Sequence, residues 1–243
     1  MGGRACAGWG SRDLLAGFMA SRDFSAIGVI FDWDGVIIDS SRQHEESWER
    51  LSAEENRPLP ADHFVLGFGK KNEWIIPNLL RWSTDPAEVH RLSLRKEALY
   101  REIVVERGLS ALPGVHKFLT GLREAGVPTC IGSSTHRENI TTILGVLKFE
   151  GMFGGMVTSE DVKQGKPHPE VFLKAAAKMA RLPQRCVVFE DAFAGMEAAR
   201  TGGMKVVGVA TTHPPKNLVD KVDHIVLRLD ELTVADLYTL VME

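Results

Sequence analysis

FDWDGVIIDS, residues 31–40, follows the apolar run Ala26-Ile27-Gly28-Val29-Ile30 and sets Asp32, Asp34 and Asp39 directly after what reads as a buried strand. Like charges at the end of a hydrophobic strand are costly unless something neutralises them. The reading of this stretch therefore decides how the rest of the chain is organised. Further apolar, β-branched runs occupy residues 127–131, 156–158, 186–189, 206–209 and 224–227. Between them lie amphipathic stretches with helical spacing. Val115, Leu119 and Leu122 form one that ends at Gly126, residues 171–180 form another, and residues 195–200 a third that ends at Gly202-Gly203. Strands alternating with helices predict an α/β fold with a doubly wound, mainly parallel, Rossmann-like sheet.

One interval breaks the alternation. From about residue 40 to 112 the pattern is helical, with Trp48 and Leu51 on one face of residues 43–56 and Leu92, Leu94, Leu99, Ile103 and Val104 among the charges of residues 88–107. This reads as a helical cap inserted after the first strand, the chain returning at Leu112-Pro113-Gly114. The expected division is residues 25–40 and 113–243 for the core and 41–112 for the cap. Residues 1–24 are expected to be an extension outside the fold.

Bulk composition narrows the function. The 243 residues are 44% apolar and 25% charged, with net charge −3, as in an ordinary globular enzyme. There is no basic excess for nucleic acid or an anionic membrane, and no apolar run of membrane-spanning length. Cys6, Cys130 and Cys186 have neither zinc-ligand nor disulfide-framework spacing, and the latter two sit in apolar runs as buried thiols would in a reducing compartment. A cytoplasmic monomer is expected. The Arg-containing N-terminus, nearly free of acids, weakly resembles a transit segment, which leaves the plastid stroma as an alternative; equally, Met19 reads as a natural start.

In open α/β sheets ligands bind beyond the carboxyl ends of strands. The residues found there are Asp32-Trp33-Asp34-Gly35, then Gly132-Ser133-Ser134-Thr135, then Ser159-Glu160-Asp161 leading to Gly165-Lys166-Pro167, then Glu190-Asp191. Each alone has a bland reading as a turn or a helix cap. Together they bring carboxylates, hydroxyls and an ammonium to one rim, which suits phosphoryl transfer. Crowded carboxylates with hard oxygen ligands suit Mg²⁺. A metal-screened carboxylate can attack phosphorus, a hydroxyl and a lysine can hold the other phosphate oxygens, and a second carboxyl can move the proton.

Asp32-Trp33-Asp34-Gly35-Val36, Ser133, Lys166-Pro167 and Glu190-Asp191 occur in the order of the four motifs of the haloacid dehalogenase-like (HAD) superfamily, which the chain resembles from about residue 25 to its end. The helical insertion, with Asp39 and His44 after the first motif, is similar to the β-phosphoglucomutase and phosphoglycolate phosphatase-like subfamily. The resemblance implies Asp32 as nucleophile and Asp34 as general acid/base. It implies Asp32, the Asp34 backbone carbonyl and Asp191 as Mg²⁺ ligands, with Glu190 a further or outer ligand. Ser133 and Lys166 would bind the transferring phosphoryl group, with Ser134 and His136 beside them. Asp39 reads as a capping residue at the core–cap junction, and His44 as either a substrate-side hinge residue or a packing residue. A carboxylate at position 34 separates the chain from haloacid dehalogenases, P-type ATPases and phosphonatases, and favours phosphate esters.

A phosphatase and a sugar phosphate mutase share these core residues, so the discriminating segment is the cap loop at residues 67–73, with Gly67 and Lys70 as substrate contacts. Mutases resemble this loop but carry an arginine where Lys70 stands, and tend to have Lys-Asn where His136-Arg137 stands. Lysine binds phosphate as a point charge and lacks the bidentate fork. Lys70-Lys71-Asn72-Glu73, Arg95-Lys96-Glu97 and Ser159-Glu160-Asp161-Val162 are similar to a plant and algal group that includes the plastid phosphatase acting on 5-amino-6-(5-phospho-D-ribitylamino)uracil. The expectation is a Mg²⁺-dependent phosphatase acting on a small phosphorylated metabolite. A β-phosphoglucomutase-like mutase is the alternative, and a non-catalytic phosphometabolite-binding protein the third reading.

Overall fold

Six strands run parallel in the order β3-β2-β1-β4-β5-β6: β1 (Gly28–Phe31), β2 (Thr129–Gly132), β3 (Met156–Val157), β4 (Cys186–Glu190), β5 (Lys205–Val209) and β6 (His224–Val226). A computed structural model describes residues 22–67 and 70–243. The expectations for residues 1–21, and for Phe68 and Gly69 of the cap loop, lie outside the described residues.

The central strands read as continuous apolar runs because both faces of the sheet are covered. Alternation along β1 sends Val29 and Phe31 into one core and Ile30 into the other. The first core is closed by helices α5 (Val115–Glu124), α6 (Arg137–Leu147) and α9 (Val234–Met242), the second by α7 (Glu170–Lys178) and α8 (Phe193–Thr201). Phe31 and Phe189 stack across the β1–β4 pair with ring centres 5.2 Å apart, and Phe118 meets Phe189 edge-on at 5.3 Å. Burial of each such ring contributes about 1.5–3 kcal/mol.

The segment between β1 and β2 is helical, as the sequence predicts. It holds α1 (Ser41–Glu54), α2 (His63–Gly67), α3 (Asn72–Trp74) with a π-helical turn Ile75–Leu79, and α4 (Pro86–Arg107). Asp85 caps α4 by accepting from the Glu88 amide at 3.0 Å, Pro86 occupies the first turn, and Gly108 with φ +72° ends it. The segment has its own core, in which Trp48 and Leu51 meet Ile75, Ile76, Leu92 and Leu99. Tyr100 and Val104, further along α4, belong instead to the first core of the sheet, so this one helix bridges the insert and the sheet. At the junction the chain crosses twice in contact: the Leu112 amide donates to the Ile37 carbonyl at 2.9 Å, and Ile38 forms an antiparallel bridge with Ala111.

Candidate active site

The strand order reverses between β1 and β4, and a topological switch point leaves a crevice beyond the carboxyl ends of those strands. Asp32 follows β1 and Glu190-Asp191 ends β4, with the Asp32 amide donating to the Phe189 carbonyl at 3.0 Å. Register alone therefore brings together residues far apart in the chain.

Lys166, from the loop before α7, places its ammonium 2.8 Å from Asp32 Oδ1 and 3.0 Å from Glu190 Oε2. Its side chain is 9% exposed and also lies over the Phe172 ring. Burial alone would lower its pKa, but the charges of Asp32 and Glu190 outweigh this and hold it above the ordinary lysine value. Asp32, Glu190 and Asp191 each turn a carboxylate oxygen to within 4.8 Å of the others, all three buried. Burial first, and the negative charge of Asp32 second, raise Glu190 well above the ordinary range and Asp191 to about 6. Three buried carboxylates facing one ammonium leave negative charge in excess, and hard oxygen donors in that arrangement fit a divalent cation of the Mg²⁺ type.

Two glycines make room for these acids. Gly35 has φ +78°, and a Cβ there would overlap the Asp191 carboxylate; a Cβ on Gly195 would overlap Glu190. Thr212 donates to Asp191 Oδ2, and Thr211 Oγ1 donates to the Gly35 carbonyl at 2.5 Å, so the loop after β5 fixes both neighbours.

Asp34 is half-buried and near enough to Asp32 for the two carboxylates to repel. Its two carboxylate oxygens accept from the Ser40 hydroxyl and from Thr135 Oγ1, the latter at 2.6 Å. Burial raises its pKa, opposed by the two hydroxyl hydrogen bonds. Ser133 is buried, with its amide bonded to the Val157 carbonyl at 3.0 Å and its Oγ accepting from the Thr135 amide at 3.1 Å.

Facing Asp34 from the insert is a cluster in which His44 was expected near the site and Lys96, Glu97 and Tyr100 were not. Lys96, 3% exposed on α4, lies 2.6 Å from His44 Nδ1 and 3.0 Å from Glu97 Oε1, and its charge is near enough to Asp34 to lower the Asp34 pKa. His44 stacks on Tyr100 at 4.0 Å, and burial together with the Lys96 charge pushes its pKa down to about 3. A neutral imidazole therefore accepts from the Lys96 ammonium. The stacking on Tyr100 agrees with the packing reading of His44. The signal for Lys96 was present in the spacing: Leu92, Lys96, Leu99, Tyr100 and Ile103 form one helical stripe, which puts a lysine among buried residues.

The remaining predicted contacts sit further out. Ser134 is exposed. His136 is exposed and pairs with Glu160 at 3.1 Å, which also accepts from the Arg137 amide at the start of α6. Thr135 takes the inward position instead. Gly67 is buried against Ile75, and Lys70 is exposed with its ammonium 5.3 Å from the Trp74 ring centre. Asp39 accepts from the Ser41 amide at 3.0 Å, a capping contact at the start of α1 as expected.

Residues 28–203 match the family model of haloacid dehalogenase-like hydrolases. The chain belongs to this family. The HAD motifs read from the sequence, and the α/β fold with a helical insertion, are borne out. The chain is 37% identical over 214 residues to the chloroplastic 5-amino-6-(5-phospho-D-ribitylamino)uracil phosphatase of Arabidopsis thaliana, an alignment covering 87% of this chain and 57% of that protein. The chain thus spans little more than half of that relative. It is 30% identical over 192 residues to the β-phosphoglucomutase of Bacillus subtilis (strain 168), covering 76% of this chain and 84% of the mutase. In fold it is similar to a family IA, variant 3 HAD hydrolase from Entamoeba histolytica HM-1:IMSS, with TM-score 0.79 and 23% identity, covering 89% of this chain and all of that one. HAD hydrolases generally use a divalent metal, and the acidic cluster of this chain has the composition for one. Among the described residues no helix is long and apolar enough to cross a membrane.

Proposed function

We propose that this HAD hydrolase is a Mg²⁺-dependent phosphatase that acts on a small phosphorylated metabolite through an aspartyl-phosphate intermediate. One observation carries the reading: Asp32, held by Lys166, shares a crevice with Asp34, whose burial raises its pKa and whose oxygens are fixed by Ser40 and Thr135. Two nearby carboxylates with different environments divide the work of nucleophile and acid.

In this mechanism an Asp32 oxygen attacks phosphorus as the bond from phosphorus to the ester oxygen breaks. Asp34 gives its proton to the departing oxygen, leaving an alcohol and phosphorylated Asp32. A water then attacks the phosphorus, Asp34 takes its proton, and the bond to Asp32 breaks to release phosphate. Ser133 and Lys166 hold the non-bridging phosphate oxygens, and Lys166 also offsets charge on Asp32. Asp32, Asp191, the Asp34 carbonyl and Glu190 would hold Mg²⁺, which when bound neutralises the crowded carboxylates and phosphate oxygens. Lys70, Ser134 and His136, all exposed, are proposed to meet the rest of the substrate, with Gly67 leading into the loop.

The relative acting on a phosphoribitylamino-uracil supports a substrate with a phosphorylated polyol arm, and the chloroplast location given in that relative's name supports the plastid alternative for this chain. The test is phosphate release with Mg²⁺ across sugar phosphates, polyol phosphates, phosphoglycolate, nucleotides and flavin-pathway phosphates. Asp32→Asn is expected to lower turnover by about 10³-fold or more. Conversion of β-glucose 1-phosphate to glucose 6-phosphate with its bisphosphate activator, without phosphate release, would overturn the phosphatase reading in favour of a mutase.

A further inference from the structure

Glu97 and Arg101 lie one turn apart on α4 and straddle a single core side chain, Asn139 on α6. Asn139 is 1% exposed, and both ends of its amide are used. Its Nδ2 donates to Glu97 Oε2 at 2.5 Å, and its Oδ1 accepts from Arg101 at 2.9 Å. A planar amide is the group that offers a donor and an acceptor side by side, so it meets a carboxylate and a guanidinium at once. Arg101 continues to Glu138, 3.0 Å away on the same core helix.

The other oxygen of Glu97 faces the insert. It accepts from Asn72 Nδ2 at 2.7 Å and from Lys96 at 3.0 Å, while Asn72 also donates to Ser93 Oγ at 3.2 Å. One carboxylate thus joins three things: the core helix, the segment just after Lys70-Lys71, and the ammonium beside His44. Stability alone does not call for such a junction, because an apolar contact of the same volume holds helices together as well or better. A satisfied polar junction fixes one relative placement, and its groups rehydrate when it parts.

We propose that Glu97 and Asn139 form a positioning pair for the reaction, docking the helical insert on the core and, through the same carboxylate, fixing Asn72 just after Lys70-Lys71 and Lys96 beside Asp34. The pair touches neither phosphoryl group nor nucleophile, and acts through Asn72 and Lys96. The inference rests on the phosphatase reading above.

The test is a polarity swap. Asn139→Asp sets a second buried carboxylate against Glu97. Combining it with Glu97→Gln restores donor against acceptor at the same total charge, and the amide oxygen that this second substitution introduces still faces Asn72 and Lys96. Two readouts are taken: kcat/KM for p-nitrophenyl phosphate with Mg²⁺, and hydrogen exchange of α4 and α6 amides. Asn139→Asp is expected to lower kcat/KM by about tenfold or more and to raise exchange in both helices, and the double variant to recover both to within about threefold. Asn139→Ala, which adds no charge, shifts both readouts the same way by less. Wild-type kcat/KM and exchange in Asn139→Asp and Asn139→Ala, or a double variant no better than Asn139→Asp, would overturn the pair. If the wild-type chain hydrolyses no phosphate ester, the phosphatase reading falls, while exchange, which needs no turnover, still decides whether the pair docks the insert.

Discussion

Gly35 shows how much of this site depends on one missing atom. Its φ of +78° is a conformation that costs an L-residue about 1–2 kcal/mol, and the space a Cβ would fill holds the Asp191 carboxylate. Gly35→Ala is expected to destabilise the chain by at least about 1 kcal/mol and to raise the Mg²⁺ concentration for half-maximal activity by about tenfold, since it displaces a proposed ligand. Mg²⁺ titration of activity beside urea unfolding checks both; unchanged Mg²⁺ dependence would show that Asp191 is not needed for the metal. At this scale the sequence was informative wherever chemistry follows directly on a strand. Asp32, Ser133 and Glu190-Asp191 were all found that way, because a strand end fixes where its next residue points. Ser40, Thr135 and Thr212 were not assigned roles. Their hydroxyls bond carboxylates 6, 101 and 21 positions away, and a hydroxyl beside a turn looks the same whether or not such a partner folds next to it.

The long helix α4 carries the matching lesson for elements. Its start at Asp85-Pro86 and end at Gly108 obey local capping rules, and Leu92, Leu99, Ile103 and Val104 mark its buried face. The burial of Lys96 and Glu97 contradicts the usual exposure of charged residues, and their pairing at 3.0 Å together with the facing groups Asn72, His44 and Asn139 makes it tolerable. Burial alone would raise the Glu97 pKa, but Lys96, His44 and the amides of Asn72 and Asn139 outweigh it and hold it at about 2, below its ordinary 4.5. A depressed carboxyl contributes stability that is complete above its unfolded value and is lost as pH falls through the folded one. The Glu97 contribution is therefore present above 4.5 and disappears as pH drops towards 2. Urea unfolding of wild type and Glu97→Gln at a series of pH values should show a stability gap that narrows across this window, by up to about 3 kcal/mol. A gap independent of pH would mean that the Glu97 pKa is the same in the folded and the unfolded chain, so that its partners do not hold it down.

For the molecule as a whole, the sequence predicts a parallel sheet with a helical insertion, but not which strands are neighbours. The adjacency of β1 and β4 comes from pairing over long separations, and it is this adjacency that crowds Asp32, Glu190 and Asp191 around one ammonium. The fold therefore carries an electrostatic cost at its switch point whenever no cation is bound there, and occupancy of the site should feed back on global stability. A ligand that binds only the folded chain stabilises it by about 2.7 kcal/mol at one hundred times its Kd. For a chain of this length that is a rise in Tm of about 5–10 °C. Thermal unfolding with saturating Mg²⁺ against a chelator should show this rise in the wild-type chain. Asp191→Asn removes a proposed ligand and relieves part of the repulsion, so it should lose most of the Mg²⁺-dependent rise while its Tm in chelator stays at or above the wild-type value. Equal melting with and without Mg²⁺ in the wild-type chain would show that the acids at the switch point do not recruit a cation.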